Sequence, residues 1–270
     1  MICALWNKKK DLDLQLKIMR LNEDELQRYQ KHLQLPDIGK DGQLRLKKSS
    51  VLVVGAGGLG SPVLLYLAAS GIGHIGIVDS DRLELSNLQR QVIHETPGLG
   101  SRKVESACAR LRNLNPEIEI DIHDERFIET NALTLAAGRN GIVDCSDNME
   151  TRFLINSTCY NLGIPFVYGA VFRYEGQVAV FDAGHGPCFR CMYPVIPDKA
   201  AVPDPAVNGL LGTVPGLIGM LQATEMLKLI LGIGEPLYGR LLLYDALSVS
   251  FRTVKIAKNP NCPVCGKRVE

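Results

Sequence analysis

The sequence predicts an α/β fold in which helices cover both faces of a mixed sheet, and three observations lead to it. Apolar strand signals alternate with helical patterns between residues 50 and 171, and the first strand runs into a glycine-rich turn in "VLVVGAGGLG". Further on, strand signals occur in closely spaced pairs. Alternation with helices is typical of parallel strands, whereas closely spaced strands pair antiparallel. We therefore expect a Rossmann-like sheet with a parallel N-terminal half and an antiparallel C-terminal extension.

The first element is a helix that follows a lead-in of residues 1–20. Asn22 is a suitable N-cap, and Glu25 three residues later completes a capping box. Apolar side chains then recur at helical spacing, at Leu26, Tyr29 and Leu33. We expect this helix to end near Pro36. The lead-in is compatible with either a helix or a poorly ordered segment.

The alternating elements come next. Strands are expected at 50–54, 74–78, 118–122, 141–145 and 165–171. Helices are expected at 59–70, 101–113, 130–137 and 149–162.

The C-terminal part departs from this alternation. The stretch "YEGQVAVFD" is expected to be a strand antiparallel to its predecessor, and "LYGRLLLYDALSVSFRTVKI" two strands about a turn near 245–247. Between them lie a proline-rich loop, 194–209, and a helix from about 214 to 231. No shift in composition marks a linker, so we expect residues 21–270 to form one domain.

Composition excludes several classes of function. The chain has 270 residues, of which 46% are hydrophobic, and 30 basic residues balance 29 acidic ones. A formal charge of +1 provides no field for binding nucleic acid or an anionic membrane. The apolar N-terminal stretch precedes its lysines and is too short for a secretion signal. We expect a cytoplasmic protein without a nucleic-acid or membrane partner.

The most apolar segment, "NGLLGTVPGLIGMLQATEMLKLILG", is not expected to span a membrane. Helix-breaking residues interrupt it at Gly212, Pro215, Gly216 and Gly219. It then reaches Gln222 and Glu225, whereas a membrane span needs about 20 largely uninterrupted apolar residues.

Four of the eight cysteines form two C-x-x-C pairs, Cys188 with Cys191 and Cys262 with Cys265. This spacing allows four thiolates to surround zinc as a tetrahedron, and two pairs favour metal over redox dithiols. With sulfur at all four positions no place remains for a catalytic water, so we expect a structural zinc site. The single cysteines are expected to be small buried apolar residues without a nucleophilic role. They are Cys3, Cys108, Cys145 and Cys159.

The glycine-rich turn is a nucleotide-binding signal of low specificity. Gly55, Gly57 and Gly60 satisfy G-x-G-x-x-G between a strand and a helix, and Asp79 lies at the distance of a ribose-binding acid. Such glycines let backbone amides approach phosphates at a helix N-terminus. The motif alone leaves both NAD and ATP open.

The segment after Asp79 favours a triphosphate. In "DSDRLELSNLQRQ" the acid is followed by the polar side chains Asp81, Asn87, Gln89, Arg90 and Gln91. A guanidinium and several amides beside a ribose acid suit a triphosphate better than a nicotinamide.

Two further segments add a cation and carboxylates. Lys103 begins a helix, and Asp144 and Asp147 follow a strand at its carboxyl end, where ligands bind to open α/β sheets. Asp147 is a candidate magnesium ligand. Each has a structural alternative: Asp144 as a helix cap, Asp81 as an Asx turn, and Lys103 as a solvated lysine. Because these residues are expected to converge on one edge of the sheet, the set as a whole favours a nucleotide-binding site.

Seven motifs together resemble those of the ThiF/MoeB/HesA family. In order they are "RYQKH", "GAGGLGSP", "DSDRLELSNLQRQ", "GSRKVESA", "DCSDN", "EGQVAVF" and the two cysteine pairs, and the resemblance covers about residues 20–266. It implies ATP- and magnesium-dependent adenylation of the C-terminal glycine of a small ubiquitin-fold sulfur carrier, with release of pyrophosphate, by a homodimer. The pathways implied are those of thiamin and the molybdenum cofactor.

The resemblance assigns roles by position. Gly58 matches the ATP-binding glycine, Asp79 the ribose acid, and Asp147 the magnesium-associated aspartate. Asp81 and Asn87 lie in the same motif as the ribose acid. Positions matching phosphate contacts are Arg90, Gln91 and Lys103.

Two positions depart from the family pattern. An arginine that reaches across the family's homodimer to the triphosphate corresponds to Lys31, which keeps the charge without the bidentate fork. A cysteine that serves as a nucleophile in thioester-forming relatives corresponds to Pro205, so the reaction is expected to stop at the acyl-adenylate.

Two other classes of function fit the sequence less well than this hypothesis. An NAD-dependent oxidoreductase leaves Arg90, Asp147 and the cysteine pairs unexplained, and an idle scaffold has no need of the complete set of charges. For the adenylating enzyme, we expect the carrier's tail to lie under loop 192–209 and "GAVFRYEGQVAVF" to line the carrier-facing side of the sheet. We expect residues 210–231 to contribute to dimerisation.

Overall fold

A computed structural model describes residues 20–197 and 208–266, in which eight strands form one sheet. The strands are β1 (Ser50–Val54), β2 (His74–Val78), β3 (Glu119–His123), β4 (Gly141–Asp144), β5 (Phe166–Phe172), β6 (Glu175–Phe181), β7 (Arg240–Asp245) and β8 (Ser250–Lys255). Their order is β3-β2-β1-β4-β5-β6-β7-β8. In this order, the five neighbouring strands β3, β2, β1, β4 and β5 pair parallel, and the strands from β5 to β8 pair antiparallel. The mixed Rossmann-like sheet is therefore confirmed.

Nine α-helices lie in the described ranges: α1 (Glu23–Arg28), α2 (Gln30–Leu33), α3 (Gly39–Lys48), α4 (Gly60–Ser70), α5 (Lys103–Leu114), α6 (Ala132–Ala136), α7 (Met149–Leu162), α8 (Phe189–Met192) and α9 (Thr213–Leu231). Short 3-10 turns lie at Leu85–Asn87 and Thr96–Gly98. The expected helices after β1, β2, β3 and β4 are all present.

The N-terminal helix differs from the sequence prediction in one respect. The Asn22–Glu25 capping box forms, but the helix breaks at Tyr29, whose backbone is not helical. The Tyr29 ring is buried, and its hydroxyl oxygen accepts a hydrogen bond of 2.8 Å from Asn115 Nδ2. At the break, the Tyr29 side chain is therefore held against a distant segment.

Helix α3 was not predicted. Its glycines are poor helix formers. However, Leu46 is fully buried, and a Cβ on Gly42 would lie 2.9 Å from Ile38 Cγ2 and 3.2 Å from Leu231 Cδ2. Tertiary packing stabilises this helix in place of intrinsic propensity.

The sheet is covered on both faces, as predicted. Side chains of β1 point alternately to the two sides: Val51 and Val53 belong to one core, and Leu52 and Val54 to the other. Helices α4, α5 and α9 contribute to the first core, and α6 and α7 to the second. Burial on both faces explains the continuous apolar runs of the parallel strands.

Helix α9 is long and apolar enough to cross a membrane by length and composition alone. In the fold it is a core helix, because Val214, Ile218, Ala223 and Met226 are at most 1% exposed. It packs against α4, β5 and β6.

Candidate active site

The glycine-rich loop crosses the sheet edge between β1 and α4. Gly55 has a φ of +101°, and a Cβ there would lie 2.6 Å from the Cys145 carbonyl oxygen. Only glycine permits this conformation and this close approach. The loop therefore lies against the end of β4, and Gly60 then begins α4.

Beyond that contact the loop forms an open cradle. A Cβ on Gly57 would meet only the Gln91 amide, at 3.5 Å. A Cβ on Gly58 would lie 3.2 Å from Pro215 Cβ and 3.4 Å from Arg90 Cγ. Backbone amides beside a helix N-terminus, next to a guanidinium-bearing side chain, form a cradle that suits a phosphate group.

Asp79 holds this loop in place. Its Oδ2 accepts a hydrogen bond of 2.7 Å from Ala56 N, and its Oδ1 accepts one of 2.8 Å from Asp81 N. The Asx turn in this segment is thus made by Asp79 and not by Asp81. The Asp79 carboxylate fixes both its own segment and the glycine-rich loop.

Lys103 is not a solvated lysine. It is 6% exposed, and its Nζ donates a hydrogen bond of 2.7 Å to Asp81 Oδ2. The charged group lies at the N-terminus of α5, where the helix dipole disfavours a cation, so Asp81 compensates it.

The segment between β2 and α5 carries the remaining polar candidates. Arg90 Nη1 donates to the Ser86 carbonyl oxygen at 3.1 Å, and Asn87 Oδ1 accepts from Glu84 N at 3.2 Å. Asn87 therefore closes its own turn. Gln91 is 4% exposed, and its Oε1 has no hydrogen-bond partner among the described residues. The amide nitrogen of Gln91 is the atom nearest the cradle, 3.5 Å from the Cβ position of Gly57, so the side chain presents an N–H donor to the glycine-rich loop.

The two aspartates at the end of β4 differ sharply in their exposure to solvent. Asp144 is fully buried, and its Oδ1 accepts from Ser146 N at 3.0 Å and from Ser146 Oγ at 2.6 Å. Burial raises the pKa of the Asp144 carboxyl. Asp147 is exposed. The cap of α7 is Asn148, not Asp144, because Asn148 Oδ1 accepts from Thr151 N at 2.9 Å.

The structure thus links most of the predicted residues through a chain of contacts. Asp79, Asp81 and Lys103 form one hydrogen-bonded series, and Arg90 and Gln91 border the cradle of Gly57 and Gly58. Lys31 is exposed on α2, and within the described ranges it makes no hydrogen bond or ion pair.

Two buried polar residues at this edge were missed from the sequence. His94 contacts the glycine-rich loop through the Ala56 carbonyl oxygen. Gln222 of α9 donates from Nε2 to the carbonyl oxygens of Asp144, at 2.7 Å, and Val167, at 3.2 Å. Its side chain occupies the place that a Cβ on Gly169 would need. Only the position of His94, three residues after Gln91 in the predicted site segment, offered a signal.

The four paired cysteines meet in one cluster. Cys188 Sγ lies 3.5 Å from Cys262 Sγ, Cys191 Sγ lies 3.3 Å from Cys265 Sγ, and all four sulfurs lie within 4.8 Å of one another. A tetrahedral zinc with bonds of about 2.3 Å separates its sulfurs by about 3.8 Å, so the cluster fits zinc.

The thiols of the cluster differ in pKa. Burial acts to raise the pKa of Cys262, but hydrogen bonds from the Cys265 and Val264 backbone N–H groups outweigh it and lower that pKa to about 7, whereas burial and the neighbouring thiols raise the pKa of Cys188 and Cys265. The single cysteines Cys108, Cys145 and Cys159 are buried, and burial raises the pKa of each, as expected for inert thiols. Cys3 lies outside the described residues.

The sheet order, the glycine-rich loop at its carboxyl edge and the four-cysteine cluster together define a Rossmann-like α/β protein with a candidate metal site. A family profile described as "ThiF family" matches residues 29–264. The chain therefore belongs to the ThiF family.

Similar proteins agree with this membership. "Sulfur carrier protein adenylyltransferase" of Thermus thermophilus is 48% identical over 92% of this chain and 93% of its own length. "SAMP-activating enzyme E1" of Haloferax volcanii is 47% identical over 92% of both chains. "Adenylyltransferase and sulfurtransferase MOCS3" of Drosophila sechellia is 45% identical, and the match covers 54% of that longer protein.

Solved structures show the same fold. A crystal structure of E. coli MccB with ATP has a TM-score of 0.74 at 22% identity, over 93% of this chain and 76% of that chain. The structure of PaaA has a TM-score of 0.75 at 25% identity, over 88% of this chain and 76% of that chain.

Proposed function

We propose that this protein uses ATP and magnesium to adenylate the C-terminal glycine carboxylate of a small ubiquitin-fold sulfur carrier, with release of pyrophosphate. The observation that carries this proposal is the buried cation Lys103 on the edge that also bears the glycine cradle and Arg90. The names of the Thermus and Haloferax relatives support the substrate class. Hydride transfer has no use for these cations.

The chemistry follows from the placement of charge. A carboxylate oxygen of the carrier attacks the α-phosphorus, the bond from that phosphorus to the bridging oxygen breaks, and pyrophosphate leaves with the electron pair. Arg90 and Lys103 stabilise the negative charge that develops on the phosphoryl oxygens. The attacking carboxylate is ionised at neutral pH, so no enzyme base takes part.

Asp147 is the proposed magnesium ligand. Mg²⁺ prefers hard oxygen ligands and is held in many nucleotide sites by one or two carboxylates together with phosphates. Asp147 offers an exposed carboxylate after β4, whereas Asp144 is enclosed. When bound, the ion neutralises charge on the departing pyrophosphate.

The proposed enzyme is a homodimer in which Lys31 serves the partner's site. The neighbours of Lys31 face their own subunit: Arg28 Nη1 donates to the Leu114 carbonyl oxygen, and Tyr29 is bound by Asn115. These contacts fix α1 and α2 and leave Lys31 directed to solvent. A fixed, outward lysine is suited to contact a second copy.

The zinc site has a structural role in this proposal. It joins the C-terminal segment of Cys262 and Cys265 to α8, which Asn156 Oδ1 anchors through a bond of 2.9 Å from Phe189 N. Residues 21–270 then act as one adenylating domain, in the cytoplasm, in a thiamin- or molybdopterin-type pathway. The reaction stops at the acyl-adenylate, although Pro205, on which that expectation depends, lies outside the described residues.

Pyrophosphate exchange tests this function. Purified protein, ATP, Mg²⁺ and labelled pyrophosphate are incubated with each candidate carrier in turn, and a carrier lacking its last glycine is the matched control. We expect label in ATP only with an intact carrier. Exchange without any carrier, or NADH binding without exchange, would contradict the proposal. Carrier binding without exchange would favour the idle scaffold.

A further inference from the structure

We infer that His94 is a positioning residue that joins the three nucleotide-binding segments and aims the amide of Gly57 at the phosphates. The inference rests on the proposed function and concerns the same site. The three segments are the glycine-rich loop, the segment bearing Arg90 and Gln91, and the start of α5 with Lys103.

Both ring nitrogens of His94 are engaged inside the protein. The residue is 5% exposed, its Nε2 lies 2.9 Å from the Ala56 carbonyl oxygen, and its Nδ1 lies 2.9 Å from Ser106 Oγ. A carbonyl oxygen only accepts, so Nε2 carries the proton and Nδ1 accepts from the serine hydroxyl. One tautomer of the neutral ring therefore satisfies every polar atom.

The bond to Ala56 has a directional consequence. The Ala56 carbonyl and the Gly57 N–H belong to one planar trans peptide, so they point in opposite directions. His94 draws the carbonyl inward, which turns the Gly57 N–H away from the imidazole. On the other side, Ala56 N donates to Asp79 Oδ2 at 2.7 Å, so both peptide planes flanking Ala56 are fixed.

His94 also connects the two cationic segments, one through its backbone N–H and the other through its ring. His94 N donates to the Gln91 carbonyl oxygen at 3.1 Å, which closes the turn after Arg90 and Gln91. Ser106, the other partner of the ring, lies one turn after Lys103 in α5. A shift of any one segment would therefore cost a buried hydrogen bond.

The surroundings keep the ring neutral. Burial lowers the pKa of His94, and the nearby Lys103 ammonium acts in the same direction, whereas the Ala56 carbonyl and Asp79 oppose them. A neutral ring adds no charge beside the phosphates. It acts only through the geometry of its two hydrogen bonds.

Direct nucleotide binding tests this role without requiring adenylation. His94→Leu removes both hydrogen bonds at similar volume, and His94→Gln retains an N–H donor for Ala56. We expect His94→Leu to raise the Kd of a non-hydrolysable ATP analogue, measured calorimetrically with Mg²⁺, at least about tenfold. His94→Gln should recover most of that loss. Equal effects of the two variants, or an unchanged Kd in His94→Leu, would refute the positioning role.

A control separates positioning from general stability. Asn156 is 1% exposed, and its Oδ1 accepts a hydrogen bond of 2.9 Å from Phe189 N, so this contact joins α7 to α8 and does not involve the glycine-rich loop. Asn156→Ala should lower the melting temperature and leave the Kd of the analogue unchanged. A similar rise of Kd in this variant would reduce His94 to a structural residue.

Two further measurements test the inference where His94→Leu does not fold or where the proposed function fails. If His94→Leu does not fold, Ser106→Ala removes one of the two ring contacts and should raise the Kd about threefold; no rise would overturn the inference. If the native protein binds the analogue but fails in pyrophosphate exchange, the proposed function fails while the role of His94 stands.

Discussion

Lys103 Nζ and Asp81 Oδ2 lie 2.7 Å apart, with the lysine side chain 7% exposed and the aspartate side chain 64% exposed. The lysine of this ion pair is therefore enclosed by protein, and the aspartate faces solvent. In the proposed function, a triphosphate arriving from solvent would meet the carboxylate first and would compete with it for the ammonium. We infer that Asp81 keeps the buried cation compensated until nucleotide binds.

Substitution of these two residues should separate their effects. Lys103→Ala removes the cation to which the proposed mechanism assigns stabilisation of the transition state, and we expect the rate of pyrophosphate exchange at saturating ATP to fall about 100-fold. Asp81→Asn leaves the cation in place but unpaired, and its effect should fall mainly on the KM for ATP. Steady-state exchange kinetics measure both parameters. An Asp81→Asn variant as slow as Lys103→Ala would contradict the division of roles.

Asp144 should make stability depend on pH. Burial raises its pKa in the folded protein above the ordinary value of 3.8, so the folded state binds the proton more tightly than the unfolded state. Stability then falls as pH rises from that ordinary value through the raised one. Asp144→Asn, whose amide oxygen still accepts from Ser146, carries no such charge.

The measurement is a comparison of urea unfolding at several pH values from about 4 to 7. We expect Asp144→Asn to gain stability relative to the native protein as pH rises. Because other groups titrate equally in both proteins, only the difference reports Asp144. A difference that is constant with pH would show that this carboxyl does not titrate between the two states.

The cysteine cluster predicts a stabilising metal. The purified protein should contain one zinc per chain. Cys262→Ser should reduce the zinc content and lower the melting temperature by several degrees, which corresponds to a loss of about 1–3 kcal/mol in the free energy of unfolding. Cys108→Ser, a buried cysteine outside the cluster, is the matched control and should keep its zinc. Equal zinc content in the two variants would contradict the assignment.

The elements that the sequence predicted well are those specified locally. The apolar run at 51–54 is buried on both faces, which is why it could be recognised as a parallel strand. The glycine-rich loop was recognisable because a φ of +101° at Gly55 demands glycine. Both features are determined within a few residues of chain.

The features that escaped prediction depend on contacts between distant segments. Helix α3 is stabilised where Gly42 packs near Leu231, and the break in the N-terminal helix lies at Tyr29, whose hydroxyl is bound by Asn115. The burial of Lys103 and the position of His94 follow from how the segment between β2 and α5 folds back on the glycine-rich loop. Local propensity and spacing carry no information on such packing.

The role of Lys31 can be decided by mixing subunits. If Lys31 serves the partner's site, a homodimer of Lys31→Ala and a homodimer of Lys103→Ala both lack a complete site. A mixed dimer has one complete site, because the subunit with native Lys103 receives Lys31 from the subunit that carries Lys103→Ala. If Lys31 acts within its own subunit, the mixed dimer has none.

The two variants are therefore unfolded together at equal concentration, refolded and assayed by carrier-dependent pyrophosphate exchange. Random association makes half of the dimers mixed, with one working site of two, so we expect about a quarter of the native rate. Each variant refolded alone is the control. Recovery no greater than the sum of the two controls would exclude action across the dimer, and full activity of Lys31→Ala alone would show that its charge is not needed.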